Sequence, residues 1–281
     1  MKLRHSLIGL LFCVQVSTGQ DLHVMSFNIR LNIASDSLNA WPYRKDKISS
    51  QVLFHKADVL GVQEALHGQI TDLKSALKRY SYIGVGREGG EKGEYSAIYY
   101  NNERLTLMGS STFWLSTTPQ VIGSKGWDAA LPRIVTWARL RDKKTRKTFF
   151  VFNTHFDHMG KVARKESAKL LLQAVDSIAG KSSAIIIGDF NARPNEEPIE
   201  VITNKNSALH LIDAKTVSLA PHYGPTGTFN GFGSKETSDQ PIDYIFYNRG
   251  VMVLEHATIS QTWMGRFASD HFVVLVRIRL L

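Results

Sequence analysis

The stretch that decides the fold is AIIIGDFN, at residues 184–191, in which an apolar run ends in a carboxylate and an amide. Its three isoleucines are β-branched, so the run predicts a buried strand. A charged group is seldom left at the end of such a strand without a partner. Asp189 and Asn191 are two residues apart, and on an extended backbone their side chains point to the same face. The segment therefore predicts a strand that delivers two polar groups to one site.

The same pattern recurs along the chain, because other apolar runs also lead to a single polar residue. Three of these runs lead to Asn28, Glu64 and His155. Their β-branched and aromatic content is typical of strands. The predicted strands cover residues 22–27, 58–63, 95–100, 106–114, 134–140 and 148–154.

Helical spacing is clearest over residues 163–178, where apolar side chains recur on one face. Two further helices are predicted over residues 44–55 and 68–79. Two parts of the chain then share one order, which is a strand, a helix and a second strand that ends in a polar residue. Two mixed sheets packed face to face with helices outside would bury all of these apolar faces. The predicted fold class is therefore α/β, in the form of a four-layer α/β sandwich.

Glycine- and serine-rich stretches predict loops near the polar strand ends, at residues 84–93 and 223–240. A third variable loop is expected over residues 116–133. The basic run at residues 139–147 lies between two predicted strands and lacks interleaved aromatic residues. This run predicts a solvated hairpin turn rather than a nucleic-acid surface.

The amino terminus has the features of a secretory signal peptide. It begins with the basic sequence MKLRH, continues with an apolar run at residues 7–16, and ends in small residues before Gln20. We expect residues 1–19 to be cleaved and residues 20–281 to form a single domain, because 281 residues with 43% hydrophobic content can bury a large core. The apolar run is too short to span a bilayer, so no transmembrane anchor is expected. The predicted location is secreted or periplasmic, and the predicted state is a monomer.

The cysteine content and the net charge limit which metal sites and which binding partners are expected. The only cysteine is Cys13, which would leave with the signal peptide, so disulfides and thiolate metal sites are excluded for the mature chain. Any metal must then be held by oxygen and imidazole. Loss of Lys2 and Arg4 lowers the formal net charge of +9 by two, and the remaining positive charge favours phosphorylated partners.

The polar residues at the strand ends combine oxygen ligands for a hard cation with imidazoles for proton transfer. These are the groups that metal-assisted attack on a phosphate requires. The set consists of Asn28, Glu64, His155, Asp189, Asn191, Asp243, Asp270 and His271. The sequence therefore predicts a phosphoester hydrolase, with water attacking phosphorus and no covalent intermediate.

Six short motifs, in this order, resemble the endonuclease/exonuclease/phosphatase family. They are SFNIR at 26–30, QE at 63–64, NTHFD at 153–157, GDFN at 188–191, IDYI at 242–245 and SDH at 269–271. The family includes DNase I-like nucleases, deadenylases, inositol polyphosphate 5-phosphatases and neutral sphingomyelinases. The resemblance covers nearly all of the mature chain. It implies the DNase I-like four-layer sandwich and a divalent metal, usually Mg²⁺, with Mn²⁺ or Ca²⁺ as alternatives.

The metal ligands are predicted first from the chemistry of their side chains. Glu64 is the expected anchor, since an anionic carboxylate suits a magnesium ion that keeps several waters. Asn28 would add an amide oxygen and Asp270 a second carboxylate. Both positions line the metal site in the family that the chain resembles. A zinc site built from His155 and His158 is a poorer account, because it leaves these oxygens unexplained.

Catalytic roles are expected for five residues. His271 is predicted as the general base, oriented by Asp243 through its other ring nitrogen, and the matching residues pair in this way in the family. Asn191 is expected to donate to a nonbridging phosphate oxygen. Asp189 would position the water or handle a leaving-group proton. His155 would donate to the phosphate or protonate the leaving oxygen.

The sequence leaves several alternatives open for the substrate. Arg133, His158 and Arg164 are predicted phosphate contacts, although surface roles for them stay open. The phosphorylated substrate is a small molecule, a lipid headgroup or a nucleic acid, since the family shares one site and differs in its loops. A DNase I-like nuclease and a sphingomyelinase-like phospholipase are the alternatives. A non-catalytic phosphate-binding protein on the same fold is a third.

Overall fold

Fourteen strands and four α-helices are present in the computed structural model, which describes residues 20–233 and 239–281. The strands are β1 (Asp21–Asn28), β2 (Val59–Ala65), β3 (Tyr80–Ile83), β4 (Tyr95–Asn101), β5 (Leu105–Trp114), β6 (Ile134–Asp142), β7 (Thr148–His155), β8 (Ala184–Asp189), β9 (Ile212–Asp213), β10 (Asp243–Tyr247), β11 (Val251–Ile259), β12 (Thr262–Trp263), β13 (Arg266–Phe267) and β14 (Val273–Leu280). The helices are α1 (Lys45–Phe54), α2 (His67–Ala76), α3 (Lys161–Ala179) and α4 (Glu197–Thr203).

The strands form two mixed sheets of six. Sheet 1 has the order β11-β14-β1-β2-β4-β3, and sheet 2 has the order β5-β6-β7-β8-β10-β9. In each sheet the two central strands run parallel, with β1 beside β2 and β7 beside β8. Their outer neighbours are antiparallel, as β14 is to β1 and β10 is to β8. Strands β12 and β13 form a separate two-stranded hairpin.

Three apolar clusters define four layers. The cluster between the sheets joins residues such as Leu22 and Val24 of β1 to Ile185 and Ile187 of β8. A second cluster packs α1 and α2 against the outer face of sheet 1, and a third packs α3 and α4 against the outer face of sheet 2. The outcome is a DNase I-like α/β sandwich, as predicted.

A polar clamp joins the two sheets close to the site. Asn153 of β7 is fully buried, and its amide group donates to the backbone carbonyls of Val62 and Ala97 in sheet 1, at 3.0 and 2.8 Å. Its carbonyl oxygen accepts from Gln63 at 2.6 Å. Buried polar groups must find partners, so these hydrogen bonds fix how the sheets lie on one another. The strand ends of both sheets are thereby held at one edge.

Most predicted elements agree with the structure within a few residues. Both strand, helix and strand units are present, because α1 connects β1 to β2 and α3 connects β7 to β8. The basic run is the β6 to β7 hairpin turn, closed by a hydrogen bond from the Asp142 N–H to the Lys147 carbonyl. The helix predicted over residues 68–79 ends at Ala76, because Tyr80 begins an edge strand paired with β4.

Other expectations fall on parts that the structure does not describe. The predicted signal peptide at residues 1–19, with Cys13, lies outside the described residues, as do residues 234–238 of the predicted loop at 223–240. Among the described residues, no helix has the length and apolar character needed to cross a membrane.

Candidate active site

The polar strand ends of both sheets meet at one edge of the sandwich. Asn28, Glu64, His155 and Asp189 lie at or near the carboxyl ends of the parallel strands β1, β2, β7 and β8. The antiparallel neighbours begin at the same edge, so Asp243 opens β10 directly opposite Asp189. Asp270 and His271 immediately precede β14. The topology thus explains why residues far apart in sequence gather in one place.

Two of these residues have a backbone conformation that L-amino acids seldom adopt. Glu64 has a φ of 64° and lies in an irregularity of the β2 and β4 pairing, between Val62 and Ala65. Asn191 has a φ of 46°. Such conformations cost free energy and are found where a side chain must be aimed in a particular direction. Here both residues line the same cavity.

A buried histidine and two carboxylates form the centre of the site. Nδ1 of His271 donates to Oδ2 of Asp243 at 2.9 Å, so Nε2 faces the cavity. Nε2 lies 3.8 Å from Oδ2 of Asp189. The three side chains are all buried. This arrangement confirms the proximity of His271, Asp243 and Asp189 but leaves their catalytic roles as predictions.

Burial and charge shift the protonation of this centre. Burial acts to lower the pKa of His271, but the charge of Asp243 and the hydrogen bond to it raise that pKa well above the usual histidine value. Burial raises the pKa of Asp189 to about 7, and the charge of Asp243 adds to this effect. Asp243 therefore favours the protonated imidazole, and burial favours the neutral form of Asp189.

The three predicted metal ligands lie together on the sheet 1 side. Glu64 and Asp270 line the cavity, and the Asn28 amide donates to Oε1 of Glu64 and to Oδ2 of Asp189, each at 3.0 Å. Burial raises the pKa of Asp270, and the charge of Glu64 raises it further. A cation bound beside Asp270 would favour its ionised form. The carboxylate oxygens of Glu64 and Asp270 suit a hard divalent ion, whereas the Asn28 oxygen accepts a hydrogen bond from the Arg30 N–H at 3.0 Å.

Among the described residues, the acidic and histidine side chains with ligand atoms close enough to share a metal are Asp189, Asp243 and His271, whose ligand atoms lie within 4.8 Å of one another. In this group Nδ1 of His271 and Oδ2 of Asp243 already bind each other. A cation there would have to replace that hydrogen bond. The expected ligands Glu64, Asp270 and Asn28 therefore remain a prediction.

His155 and Asn191 lie on the other side of Asp189. The Asn191 amide donates to the Phe156 carbonyl at 3.0 Å and lies 3.0 Å from Nε2 of His155, which then accepts from it. Burial lowers the pKa of His155 well below the usual value, and the charge of Arg133 adds to the effect. His155 is therefore neutral in this structure. Its predicted proton donation requires a substrate that raises its pKa.

The cavity has a volume of about 410 Å³, and two of the three predicted phosphate contacts line it. These are Arg133 and His158, whose side chains meet at 3.1 Å between a guanidinium nitrogen and Nδ1 of the imidazole. Leu131 lines the cavity beside them. Of the predicted loops, residues 116–133 contribute Leu131 and Arg133, and residues 223–240 contribute Phe229.

The third predicted contact, Arg164, does not line this cavity. It lies on the buried face of α3, and its guanidinium donates to the backbone carbonyl of Asp157 at 3.0 Å. Its position in the first turns of an amphipathic helix directs it inward, beside Ser167. The geometry therefore gives Arg164 a supporting place under the Asp157 loop rather than the phosphate contact that was predicted.

Asp157 is a supporting residue whose role was missed from the sequence. Its carboxylate accepts from the backbone N–H groups of Met159, Gly160 and Leu131. Burial acts to raise the pKa of Asp157, but backbone N–H groups, including those of Gly160 and Met159, and the charge of Arg133 lower it to about 2. Asp157 is thus a fixed anion that ties the loop before α3 to the loop before β6, next to Arg133.

Arg44 is a second supporting residue, buried to 1% exposure. Its guanidinium donates to the backbone carbonyls of Ile29 and of Arg30, the latter at 2.7 Å, and to that of Ala268 at 3.3 Å. Among the described residues no carboxylate forms an ion pair with it, and burial lowers its pKa to about 10. Arg44 therefore links the segment after Asn28 to the segment before Asp270.

Three further cavity residues had no role in the sequence prediction. Glu94 directly follows the glycine-rich stretch at residues 84–93, which was predicted only as a loop. Arg30 belongs to the first family motif and pairs with Asp36 at 3.0 Å. Phe229 packs edge-on against the His271 ring, with ring centroids 5.1 Å apart. Only Arg30 carried a sequence signal, because it adjoins Asn28.

Comparisons with solved structures agree with this geometry. An endonuclease/exonuclease/phosphatase from Bacteroides vulgatus is 37% identical, with a TM-score of 0.89, covering 93% of this chain and 99% of that one. A mannosyl-6-phosphatase from Bacteroides thetaiotaomicron is also 37% identical, with a TM-score of 0.87, covering 92% of this chain and 99% of that one.

More distant relatives are known by sequence. Nocturnin of Drosophila melanogaster is 24% identical over 291 residues, which cover 86% of this chain and 42% of nocturnin, so the chain spans less than half the length of that relative. The model of the Endonuclease/Exonuclease/phosphatase family matches residues 25–271, from within β1 to His271. The chain therefore belongs to the Endonuclease/Exonuclease/phosphatase family, whose members are hydrolases that act on phosphoester bonds.

Proposed function

We propose that this chain is a divalent-metal-dependent phosphomonoesterase that acts on small phosphorylated carbohydrates. The observation that carries the proposal is the cavity of about 410 Å³, which has the His271 and Asp189 pair on its wall. Pockets of this size suit a small ligand rather than a duplex nucleic acid. The similarity to a mannosyl-6-phosphatase, at 37% identity over nearly the whole of both chains, supports the same substrate class.

The residues suggest how hydrolysis proceeds. Glu64, Asp270 and Asn28 would hold a divalent cation, Mg²⁺ in our proposal, which offsets the charge that develops on the phosphate oxygens. His271, kept protonated by Asp243, adds a fixed positive charge at the same oxygens. Asp189, with a pKa of about 7, is then the better base for the attacking water. This assignment exchanges the roles first predicted for Asp189 and His271.

The other polar groups complete the site. The backbone N–H of Asn191 donates to Asp189 and its side-chain amide lies 3.0 Å from Nε2 of His155, so that amide could donate to a nonbridging oxygen of the same phosphate when the substrate replaces His155 as its partner. An anionic phosphate favours the protonated form of a nearby imidazole, so substrate binding would raise the pKa of His155. His155 can then protonate the leaving oxygen of the sugar. Release of the alcohol and of inorganic phosphate balances the reaction.

Hydrolysis by residues 20–281 tests the proposal. Candidate substrates are hexose phosphates, inositol phosphates, p-nitrophenyl phosphate, bis(p-nitrophenyl) phosphate, sphingomyelin, RNA and plasmid DNA, each with Mg²⁺ or with chelator. We expect release of phosphate from the sugar monoesters, lost with chelator and in His271→Ala. His67→Ala is the matched control, because His67 is partly exposed on α2. Turnover confined to a nucleic acid or a phospholipid would contradict the proposed substrate class.

We also propose that the protein is exported and that residues 1–19 are removed. The support is the basic start, the short apolar run and the small residues before Gln20. Expression of the full chain in a bacterium and mass determination of the product tests this. A mass corresponding to a chain that starts at Gln20, found outside the cytoplasm as a monomer, is expected. An intact amino terminus in the cytoplasm would refute export.

A further inference from the structure

The wall of the cavity beside His155 carries a second cluster of charged groups. It is formed by Glu94, Arg87, Arg133 and Asp157, and we name it the distal cluster. Glu94 and Arg133 line the cavity, and Arg87 and Asp157 support them from behind. The side chains of all four are exposed by 14% or less. Groups so deeply buried are seldom charged without a structural or binding role.

Glu94 is held in place within the distal cluster. Its Oε2 lies 2.9 Å from Nη1 of Arg87 and 3.9 Å from Nη1 of Arg133. The Arg87 N–H donates to the backbone carbonyl of Glu94 at 2.9 Å, and the Trp114 indole donates to the backbone carbonyl of Arg87 at 2.7 Å. The turn is further fixed by Gly93, whose φ is 75°. A side chain fixed in this way is preorganised for a ligand.

One oxygen of Glu94 is left for a ligand. The closest approach of each guanidinium is to Oε2, and no hydrogen bond reaches Oε1 from anywhere in residues 20–233 or 239–281. Arg133 contributes donors nearby, through its contact with Nδ1 of His158. A carboxylate oxygen accepts hydrogen bonds from hydroxyl groups, and guanidinium and imidazole N–H groups donate to hydroxyl oxygens, so this cluster can bind a part of the substrate that carries hydroxyls.

The charge of the distal cluster argues against a second phosphate. Two guanidinium groups face two carboxylates, so no net positive charge remains to neutralise another anion. Glu94 itself would repel a phosphate group placed beside it. The chemistry suits an uncharged, hydroxyl-rich part of the substrate.

We propose that Glu94 selects a neutral sugar attached to the phosphate, accepting hydrogen bonds from its hydroxyls and excluding substrates with a second phosphate. This inference rests on the proposed function and deepens it. It makes Glu94 a specificity residue for hexose monophosphates over bisphosphates, nucleotides and simple aryl phosphates.

The test compares ratios of kcat/KM within each variant. In Glu94→Gln we expect the ratio of hexose 6-phosphate to p-nitrophenyl phosphate turnover to fall at least about tenfold, since one good hydrogen bond to a charged group is worth about 1.5–3 kcal/mol. The ratio of hexose bisphosphate to hexose monophosphate turnover should rise. A general loss of folding would leave both ratios unchanged. Glu88→Gln is the matched control, because Glu88 lies exposed on the same turn.

Binding of free hexoses separates the inference from the proposed function. D-mannose and D-glucose carry no phosphate, so their binding, measured by saturation-transfer NMR, does not depend on hydrolysis. We expect binding to the wild-type chain that is lost in Glu94→Gln and kept in Glu88→Gln. Glu94→Asp replaces the Gln variant if that variant does not fold. Unchanged ratios and unchanged hexose binding would overturn the role of Glu94, whereas hexose binding without phosphate release would overturn the phosphatase alone.

Discussion

At the scale of single residues, the site separates into groups that face the cavity and groups that hold them. His271, Asp189, Glu64 and Asp270 face the cavity. Asp243 is buried behind His271, and its second oxygen, Oδ1, has no hydrogen-bond partner among the described residues. Its negative charge is therefore directed at His271.

Replacement of Asp243 by Asn tests this coupling. The amide keeps the shape of the side chain but removes the charge that raises the pKa of His271. We expect kcat to fall by about 10²–10⁴, as when a buried carboxylate that orients a catalytic histidine is removed. Steady-state kinetics measure the loss, and circular dichroism checks the fold. A kcat within threefold of wild type would show that the His271 and Asp243 pair does not take part in hydrolysis.

Replacement of Arg44 by Lys tests the arginine that bridges the two metal-site segments. A lysine has three donors and no planar fork, so several buried carbonyls lose their partner, at about 1–3 kcal/mol each. We expect the free energy of unfolding to fall by about 3 kcal/mol or more, and the Kd for Mg²⁺ to rise. Urea unfolding and calorimetric titration measure the two effects. Lys47→Arg, on the exposed side of α1, is the control, and equal midpoints for both variants would contradict the assignment.

Most of the residues that face the cavity could be predicted from the sequence, but the residues that hold them in place could not. Asn28 and Asp189 follow apolar runs, so the sequence pattern predicted both the strand and the polar residue at its end. Glu94 was not predicted, because its partners Arg87 and Arg133 come from separate segments that only the fold brings together. Arg164 was misjudged because a helix position beside small residues can face inward as well as outward.

At the scale of elements, β11 contains a buried histidine, and protonation of that histidine would destabilise the strand in its sheet. His256 is 5% exposed on this strand, and its Nδ1 lies 2.9 Å from Nδ1 of His222. Burial lowers the pKa of His256 to about 3, and the nearby charge of His222 adds to this effect. The folded chain therefore resists protonation here.

This element should lose stability in mild acid. Between pH 6.5 and pH 3 the unfolded chain binds a proton at His256 that the folded chain does not, so stability falls with the pH. The loss is about 2 kcal/mol between pH 7 and pH 5. Urea unfolding at a series of pH values measures it. His256→Asn should flatten the dependence relative to His67→Asn, and identical slopes for the two variants would refute the prediction.

At the scale of the whole molecule, the predicted cation site joins the two strands that flank β1 in sheet 1. Glu64 lies near the end of β2, whereas Asp270 comes more than two hundred residues later, before β14. A cation bound by both carboxylates holds distant parts of the chain together in the folded state only. Binding and overall stability are therefore linked.

Magnesium should raise the melting temperature of the protein, because it binds the folded chain and not the unfolded chain. At a concentration one hundred times Kd the gain is about 2.7 kcal/mol, or roughly 5–10 °C for a chain of this size. Differential scanning calorimetry with and without Mg²⁺ measures the shift. Glu64→Gln should abolish it while Glu88→Gln retains it. A shift of the same size in both variants would mean that the ion binds elsewhere.

The order of strands in sheet 1 has a consequence for biosynthesis. Strand β1 pairs with β14, from Asp21 opposite Arg279 to Ser26 opposite Val274. Strand β1 therefore gains its second neighbour only after nearly the whole chain, including β14, has been synthesised. Until then one edge of β1 offers unpaired backbone groups to other chains, and long-range pairing of this kind is slow. Folding of this sheet is thus a late event, and a chaperone that shields β1 during synthesis would increase the yield of active enzyme.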